Sequence, residues 1–269
     1  MIDAATAESK HAVLQDIIRD SAPLVIAYSG GVDSAFLLAV AMKTIGHRCL
    51  GVIADSPSLP RQALADALKL AHQIGASVEV VATDEMRNPA YTSNPVNRCY
   101  FCKAELFTKL DGLAKDRGFR AIAYGENADD AQQFRPGRQA AAEFRVLSPL
   151  KDAGLTKSEI RALSRASQLP TADAPAQPCL SSRIPHGTPV TAAALGMIER
   201  AEAAVRSLGF LIFRVRHEVG AEEVCARVEI SPNEIAKLEP LADSLHKALR
   251  AAGYDHVLID PQGYRSPVA

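Results

Sequence analysis

Several features that mark large classes of proteins are missing from this sequence. Its 269 residues contain no apolar run of membrane-spanning length, and the first of them contain no apolar signal core. The basic surplus typical of nucleic-acid-binding proteins is absent, because the sequence has 30 lysine and arginine residues and 31 acidic residues. The five cysteines are an odd number, which argues against a disulfide framework. We therefore expect a cytoplasmic protein with a small-molecule substrate, and neither a membrane nor a nucleic acid as its partner.

The cysteines divide into two groups by their surroundings. They are Cys49, Cys99, Cys102, Cys179 and Cys225. The first and the last lie in apolar, strand-like runs, where a thiol behaves as a small buried hydrophobe. Cys99 and Cys102 form a Cys-x-x-Cys pair at the entrance of a predicted helix, and Cys179 lies in a loop-like segment. This spacing suits a [4Fe–4S] cluster with one open iron, a zinc site completed by His186, or a redox pair, or the thiols are unrelated; the spacing by itself leaves these alternatives open.

Residues 29–34, with the sequence Ser-Gly-Gly-Val-Asp-Ser, lie between an apolar run and the start of a helical pattern. Gly30 and Gly31 carry no Cβ, so the backbone can turn sharply there and approach a ligand closely. The helix that follows offers unpaired N–H groups and a positive dipole end to a phosphate. Asp33 can orient a metal or hold the turn. An ordinary turn capped by Asp33 or Ser34 is the alternative, but strand, glycine turn and helix in this order favour an anion site.

Apolar strand-like runs alternate with helical patterns in the first half of the chain. The predicted strands are 24–28, 48–54, 78–82 and 120–124, and the predicted helices are 3–20, 34–45, 60–74 and 103–117. This alternation indicates βαβ units, and the continuous apolar character of the strands indicates a sheet covered on both faces. A capping box at 156–159 predicts one more helix, to about 168. The fold class is therefore α/β with a parallel sheet.

The second half of the chain lacks this alternation. Residues 169–190 are rich in proline and small residues, which indicates a linker or an active-site segment. The elements predicted beyond it are a helix at 191–208, strands at 211–216 and 224–230, a helix at 232–252 begun by a capping box at 231–234, and a strand at 256–260. We therefore predict a nucleotide-binding domain at 1–168, a linker or active-site segment at 169–190, and a smaller α+β domain at 191–269.

Polar and small residues follow the predicted strands. In parallel sheets ligands bind beyond the carboxyl ends of the strands, and these ends carry residues 29–34, Ala54 and Ser56, and Gly125. The acidic stretch at 126–130 can orient magnesium or contact a ribose, or it is a solvated acidic loop. These residues form the predicted nucleotide site.

Arg214 and Arg216 alternate with an apolar residue on a predicted strand, so both guanidinium groups face one side. Two guanidinium groups together favour an anion, because each matches a phosphate or a carboxylate with a bidentate fork. The alternative is a solvent-facing strand whose arginines pair with nearby glutamates such as Glu218 or Glu229.

The hexapeptide at 29–34 resembles the pyrophosphate loop, SGGxDS, of the PP-loop ATP pyrophosphatase superfamily. This resemblance implies a Rossmann-like, adenine nucleotide alpha hydrolase-like fold that uses ATP and Mg²⁺. It also implies cleavage of ATP between the α- and β-phosphates. A substrate oxygen becomes adenylated, pyrophosphate leaves, and a nucleophile then displaces AMP.

Taken together, several motifs resemble the LarE family of sulfur-inserting enzymes in nickel-pincer nucleotide biosynthesis. They are SGGVDS, Cys-Tyr-Phe-Cys, Phe134-Arg-Pro-Gly-Arg138, Pro-Cys179-Leu-Ser-Ser-Arg-Ile-Pro-His-Gly187, Phe-Arg-Val-Arg-His217 and Gly263-Tyr-Arg-Ser266. The resemblance implies that carboxylates of pyridinium-3,5-biscarboxylic acid mononucleotide are adenylated and converted to thiocarboxylates. In one variant of the family a cysteine sacrifices its sulfur, and in the other a [4Fe–4S] cluster on three cysteines delivers sulfide. The three cysteines at 99, 102 and 179 resemble the cluster variant.

The resemblance also assigns residues. It implies that the ATP phosphates are held by Ser29, Gly30, Gly31, Asp33 and Ser34. It implies that Cys99, Cys102 and Cys179 bind the cluster and, with Asp33, are catalytic. It implies that the phosphate and carboxylates of the nucleotide substrate are bound by Ser182, Arg183, Glu202, Arg214 and Arg216. A homo-oligomer, a trimer or a hexamer, is expected from the family.

Two other functions are compatible with the same loop. A tRNA thiolase of the superfamily predicts a basic, RNA-facing surface, which the balanced charge disfavours. An ATP-dependent amide-forming ligase predicts that the cysteines bind structural zinc. Metal analysis distinguishes the ligase from the other two functions. Iron with acid-labile sulfide would indicate a LarE-type enzyme or a tRNA thiolase, and zinc would indicate the ligase.

Overall fold

The computed structural model describes residues 4–132, 136–175, 177–221 and 223–265. The chain forms two units, and the second takes its residues from two stretches of sequence. The first unit comprises Met1–Glu85 and Asn97–Gln177, and the second comprises Met86–Val96 and Pro178–Ala269. The change of unit at Gln177 falls inside the stretch predicted as a linker. None of the described helices is both long and apolar enough to cross a membrane.

The elements are numbered in chain order. The helices are α1 (Ala4–Ser21), α2 (Val32–Ile45), α3 (Arg61–Gln73), α4 (Pro89–Thr92), α5 (Arg98–Arg117), α6 (Gly137–Glu143), α7 (Pro149–Asp152), α8 (Lys157–Ala166), α9 (Ala192–Ser207) and α10 (Leu238–Ala251). The strands are β1 (Leu24–Ala27), β2 (Cys49–Asp55), β3 (Val78–Ala82), β4 (Ala121–Tyr124), β5 (Phe213–Val219), β6 (Val224–Ile230) and β7 (His256–Ile259).

The first unit contains a parallel sheet with the strand order β3-β2-β1-β4. The chain winds from β1 to β3 in one direction and then crosses to the other side of β1, so β1 and β4 border the point where the order reverses. Ligands of doubly wound sheets bind at such a point, beyond the carboxyl ends of the strands. The register pairs Ala27 with Val52 and with Tyr124, so the loops after β1 and β4 begin at the same level. The predicted α/β fold is confirmed.

Two apolar cores cover the two faces of this sheet. Alternate residues of β1 point to opposite sides: Leu24 and Ile26 pack with α1, α2 and α3, and Val25 with α5 and α6. Phe36 and Phe107 are fully buried on opposite faces. Because both faces are covered, the strands need apolar residues at every position, which is the pattern seen in the sequence.

Helix α5 starts earlier than the sequence indicated. The prediction placed its first residue at 103, whereas the helix begins at Arg98 and contains Cys99 and Cys102 in its first two turns. The sequence Arg-Cys-Tyr-Phe-Cys holds neither proline nor glycine, so nothing in it interrupts the helix. The Cys-x-x-Cys pair therefore lies on a helix and not in a loop before it.

The second unit contains a three-stranded sheet in which β6 pairs antiparallel with β5 and parallel with β7. Its core joins this sheet to α9 and α10 and includes Phe210, Val215 and Leu249. The predicted smaller α+β domain is confirmed in this unit.

The two predicted capping boxes have different outcomes. Thr156 and Glu159 form the box that opens α8, with both reciprocal hydrogen bonds present. The second prediction is wrong, because Ser231 makes no side-chain cap and Pro232–Lys237 forms a 3₁₀ turn before α10. The carboxylate of Glu234 accepts hydrogen bonds from the backbone N–H groups of Leu211 and Ile212, so it is engaged before it can complete a cap.

Candidate functional site

Residues 29–34, the predicted phosphate loop, connect β1 to α2. Their backbone has a conformation that glycine permits. Gly30 has φ of +75°, and a Cβ added there would lie 2.7 Å from the Cβ of Ala67. Gly31 is the N-cap of α2, and no described side chain caps the helix. The first-turn N–H groups and the positive end of the helix dipole are therefore available to an anion.

The two serines of the loop hold its conformation. The hydroxyl of Ser34 donates to the carbonyl oxygen of Gly31 at 3.1 Å and accepts the backbone N–H of Ser29 at 3.2 Å. It also lies 3.1 Å from the hydroxyl of Ser29. The loop is thus ordered by its own side chains.

The loop after β4 passes directly over the start of α2. A Cβ added at Gly125 would lie 2.7 Å from the backbone nitrogen of Ser34 and 3.0 Å from the carbonyl carbon of Asp33. Only glycine allows this close approach of two backbones. Gly125 is therefore part of the wall of the phosphate loop.

A pocket of about 240 Å³ lies beside the phosphate loop. Its lining is Ala27, Tyr28, Ser29, Gly31, Asp33, Ser34, Ile53, Ala54, Leu59, Lys103, Leu106, Tyr124 and Gly125. Of the predicted nucleotide residues, Gly30 and Ser56 lie outside this lining. Ser56 is buried, and its hydroxyl lies 2.9 Å from that of Ser58. The pocket is polar at the loop and apolar where Ile53, Leu59 and Leu106 contribute.

Asp33 has one satisfied and one unsatisfied carboxylate oxygen. Its Oδ2 accepts a hydrogen bond from Lys157 Nζ at 2.6 Å. Its Oδ1 is buried and has no hydrogen-bond partner among the described residues. Asp33 lines the pocket, and a carboxylate oxygen without a hydrogen-bond partner fits Mg²⁺, which prefers hard oxygen ligands and phosphates. Lys157 was not identified from the sequence, because it lies 124 residues from Asp33 along the chain.

The acidic stretch after β4 proves to be largely internal. The carboxylate of Glu126 accepts hydrogen bonds from Tyr124 Oη at 2.5 Å, Ser148 Oγ at 2.9 Å and Lys151 Nζ at 3.2 Å, and Arg138 Nε lies 2.6 Å away. Burial raises the pKa of Glu126, but the hydrogen bonds from Tyr124, Ser148 and Lys151 outweigh this and hold it below its ordinary value. Glu126 is therefore an ionised, buried carboxylate that binds four side chains, one of which, Tyr124, lines the pocket.

The residues that follow Glu126 fasten the loop to α8. Asn127 Oδ1 accepts the backbone N–H groups of Asp129 and Asp130, and Asp129 Oδ2 accepts the backbone N–H of Lys157 at 2.8 Å. These bonds position the start of the helix whose first residue reaches Asp33. The acidic stretch thus orders the site, and a ribose or magnesium contact by it stays a prediction.

Lys103 is a second cation that sequence reasoning did not assign. It lines the pocket, and its Nζ lies 4.4 Å from the centre of the Tyr124 ring and 5.5 Å from that of Phe107. An ammonium group over aromatic faces beside a phosphate loop suits a phosphate ligand. The available signal was its place directly after Cys102, the last residue of one of the family motifs.

The cysteine pair lies in the first unit and Cys179 in the second. Cys99 is exposed and Cys102 is partly exposed, and their spacing of three residues places both thiols on one side of α5. Cys179 is partly exposed and precedes the 3₁₀ turn Leu180–Arg183. Within each unit, over its described residues, no three His, Cys, Asp or Glu side chains are grouped to hold a metal. Two thiols on one side of a helix turn fit a soft metal site, and the full ligand set stays a prediction.

The residues predicted to bind the substrate surround the segment that carries Cys179. The guanidinium of buried Arg183 forms a two-pronged ion pair with Glu202, at 2.8 Å and 3.0 Å. Its Nη1 also donates to the carbonyl oxygens of Pro178 at 2.6 Å and Cys179 at 3.1 Å. Ser182 Oγ donates to the carbonyl oxygen of Cys179 at 2.7 Å. The structure therefore brings Arg183, Glu202 and Ser182 together around the backbone of Cys179.

Arg214 and Arg216 have different partners. Arg216 forms a two-pronged ion pair with Glu229, at 2.9 Å and 3.2 Å, as the alternative interpretation of the sequence proposed. Arg214 is 4% exposed, and its guanidinium lies 3.3 Å from the hydroxyl of Tyr264 and over that ring. Burial lowers the pKa of Arg214, and the positive charges of Arg183 and Arg216 lower it further.

The other motif residues have separate outcomes. Phe134, Arg135 and Ser266 lie outside the described residues. Arg138, from the same motif as Phe134 and Arg135, pairs with Glu126. His217 is buried, and its Nδ1 lies 3.2 Å from the hydroxyl of Tyr254.

Comparison with known proteins identifies the family. No protein-family model matches the chain. It is 41% identical over 261 residues to an uncharacterized protein of Synechocystis sp., with 96% of each chain covered. It is also 29% identical over 263 residues to the pyridinium-3,5-bisthiocarboxylic acid mononucleotide synthase of Lactiplantibacillus plantarum, with 97% of this chain and 94% of the synthase covered. An uncharacterized protein of Methanocaldococcus jannaschii is 28% identical, with 90% of this chain and 91% of that protein covered.

The chain belongs to the LarE family. It is therefore an enzyme, a sulfur transferase of the family that serves nickel-pincer cofactor biosynthesis. The family prediction made from the motifs is confirmed, and similarity over nearly the whole chain covers both units.

Proposed function

We propose that this protein is an ATP-dependent, AMP-forming sulfur transferase that converts carboxylates of pyridinium-3,5-biscarboxylic acid mononucleotide to thiocarboxylates. One observation carries the ATP-dependent part: the uncapped start of α2, with Gly31 and Asp33, lines one pocket together with Gly125 at the reversal point of a parallel sheet. This arrangement suits a pyrophosphate group and its Mg²⁺.

The pocket has parts for both ends of ATP. Its polar end offers helix N–H groups, the serine hydroxyls and the ammonium group of Lys103 to the phosphates. Its apolar side chains, Ile53, Leu59 and Leu106, suit the faces of a purine ring. Asp33 would hold Mg²⁺ through Oδ1, while Lys157 keeps the other carboxylate oxygen in place.

The reaction has two steps. A substrate carboxylate oxygen attacks the α-phosphorus of ATP, the bond between the α- and β-phosphates breaks, and pyrophosphate leaves. A sulfur nucleophile then attacks the acyl carbon, the C–O bond to AMP breaks, and a C–S bond forms. Positive groups at the phosphate loop stabilise the negative charge that develops on pyrophosphate in the first step.

The arginine cluster of the second unit supports an anionic substrate. Arg183 and Arg216 are each paired with a glutamate, whereas no described carboxylate lies within ion-pair distance of Arg214. A buried guanidinium near two others, without a counter-ion of its own, favours a carboxylate or a phosphate. Arg214 would therefore bind the anionic substrate, and the two paired arginines would hold the segment that carries Cys179.

We further propose that Cys99, Cys102 and Cys179 hold a [4Fe–4S] cluster. Their thiols are the ligand type that such clusters require, and all three are at least partly exposed. A cluster held by these three cysteines would have one iron without a protein ligand, which would supply a binding position for sulfide. Anaerobic purification with iron and sulfide analysis tests this; zinc in place of iron would contradict it.

The ATP chemistry is tested with Asp33→Asn, which keeps the shape of the side chain and removes its charge. We expect AMP and pyrophosphate formation to fall at least about a hundredfold, because the magnesium ligand is lost. Asp20→Asn, at an exposed position on α1, is the matched control and should retain full activity. Formation of ADP by the unmodified enzyme, or an undiminished rate in Asp33→Asn, would contradict the proposal.

A further inference from the structure

One stretch of the chain leaves the first unit and returns to it. Residues Met86–Val96 lie between β3 and α5 in sequence but belong to the second unit. We name this stretch the clamp segment. It ends three residues before Cys99, and its contacts within the second unit converge on the loop that follows Cys179.

Tyr91 makes the first of these contacts. Its side chain is 1% exposed, and its hydroxyl lies 2.7 Å from that of the fully buried Ser181. Ser181 is two residues from Cys179. A hydrogen bond between two buried hydroxyls restricts the rotation of both side chains and therefore helps to fix the backbone beside Cys179.

Asn94 makes the second set. It is fully buried with φ of +56°, and its Nδ2 donates to the carbonyl oxygens of Pro185 at 2.7 Å and Thr188 at 2.9 Å. Its own carbonyl oxygen accepts the backbone N–H of Gly187 at 2.9 Å. A single side chain thus holds two carbonyl groups of one loop, from a left-handed backbone conformation that asparagine tolerates better than most residues.

Other residues hold the start of the same loop. Arg183 and Ser182 both donate to the carbonyl oxygen of Cys179, and Arg216 donates to the carbonyl oxygen of Ser182 at 2.9 Å. The segment that follows Cys179 is therefore held both by the arginine cluster and by the clamp segment. None of these bonds uses the thiol, which leaves it available for chemistry or for a metal.

We propose that Tyr91 and Asn94 are positioning residues that hold Cys179 where sulfur transfer requires it. The inference rests on the proposed function for its catalytic consequence, but the hydrogen bonds themselves are independent of it. Adenylation takes place at the phosphate loop of the first unit, so loss of the clamp should impair sulfur transfer more than AMP formation.

The test uses Tyr91→Phe, which removes the hydroxyl and keeps the buried ring. Tyr254→Phe is the matched control, because Tyr254 is an equally buried tyrosine of the second unit whose hydroxyl lies beside His217 instead. Asn94→Asp is a second variant that keeps the size and backbone of Asn94 but replaces its N–H donors by a carboxylate oxygen. Hydrogen exchange is followed at the backbone amides of residues 182–190, and product is measured as thiocarboxylate formed per AMP released.

We expect Tyr91→Phe to raise exchange at 182–190 about three- to tenfold, the effect of losing one buried hydrogen bond, and Asn94→Asp to raise it more. Thiocarboxylate per AMP should fall in both variants at unchanged KM for ATP, while Tyr254→Phe changes neither quantity. Unchanged exchange in both variants, or an equal fall of AMP and thiocarboxylate, would overturn the inference. If the unmodified enzyme releases no AMP, the proposed function fails, and the exchange rates alone then decide whether the clamp holds the loop.

Discussion

Gly125→Ala is the sharpest test of how the phosphate loop is built. The added Cβ would lie 2.7 Å from the backbone nitrogen of Ser34 and 3.0 Å from both the Cα of Ser34 and the carbonyl carbon of Asp33. Ordinary contacts between such atoms begin near 3.4 Å. The two backbones must therefore separate by roughly half an ångström or more, and neither can rotate away as a side chain would.

Two quantities should change together. Overpacking of this kind costs about 1–3 kcal/mol of the free energy of unfolding. The displaced start of α2 should also weaken ATP binding by about tenfold or more, since each tenfold loss in affinity is about 1.4 kcal/mol. Gly112→Ala is the matched control: a Cβ added there meets nothing within 4 Å, and the position lies inside α5. It should stabilise the protein by up to about 1 kcal/mol and leave ATP binding unchanged.

The measurements are urea unfolding and calorimetric titration with a non-hydrolysable ATP analogue. If Gly125→Ala bound the analogue as tightly as the unmodified protein, Gly125 would not be part of the phosphate-loop wall. If Gly112→Ala weakened binding equally, the effect would be one of global stability and not of the loop.

Two further predictions concern the second unit. Arg214→Gln should lower affinity for the anionic substrate about ten- to a hundredfold, the loss of one charge-assisted hydrogen bond, with ATP affinity unchanged, and equal losses for both ligands in titration calorimetry would refute this. Burial lowers the pKa of His217 below its ordinary value of 6.5, so below pH 6.5 the unfolded chain binds more protons than the folded one. The free energy of unfolding should therefore fall as pH decreases through this range, by at most about 1.4 kcal/mol per pH unit for one proton, until the folded state also takes up the proton. Urea unfolding between pH 7 and 5 should show a shallower slope in His217→Asn, whereas the exposed-site control His246→Asn should keep the original slope.

Local sequence determined a large part of the fold. The strands of the first sheet read as apolar runs because both faces are covered, and the start of α8 was readable because Thr156 and Glu159 are three residues apart. The phosphate loop could also be predicted from local sequence. Its glycines, serines and Asp33 are neighbours in the chain, and their chemistry depends on little else.

Tertiary structure decided what distant residues do. Lys157 reaches Asp33, and the clamp segment joins the second unit, through contacts that no spacing in the sequence signals. Glu234 does not complete the predicted capping box, because its carboxylate accepts hydrogen bonds from two backbone N–H groups outside its own helix. The sequence by itself determined the family and the conformation of the glycine loop at 29–34, since the loop is a short motif whose backbone follows from its own residues. Three features depend on packing between segments that are distant in the chain: the cation that binds Asp33, the arginine that has no glutamate partner, and the contacts that hold the loop after Cys179. Only the folded structure brings these segments together.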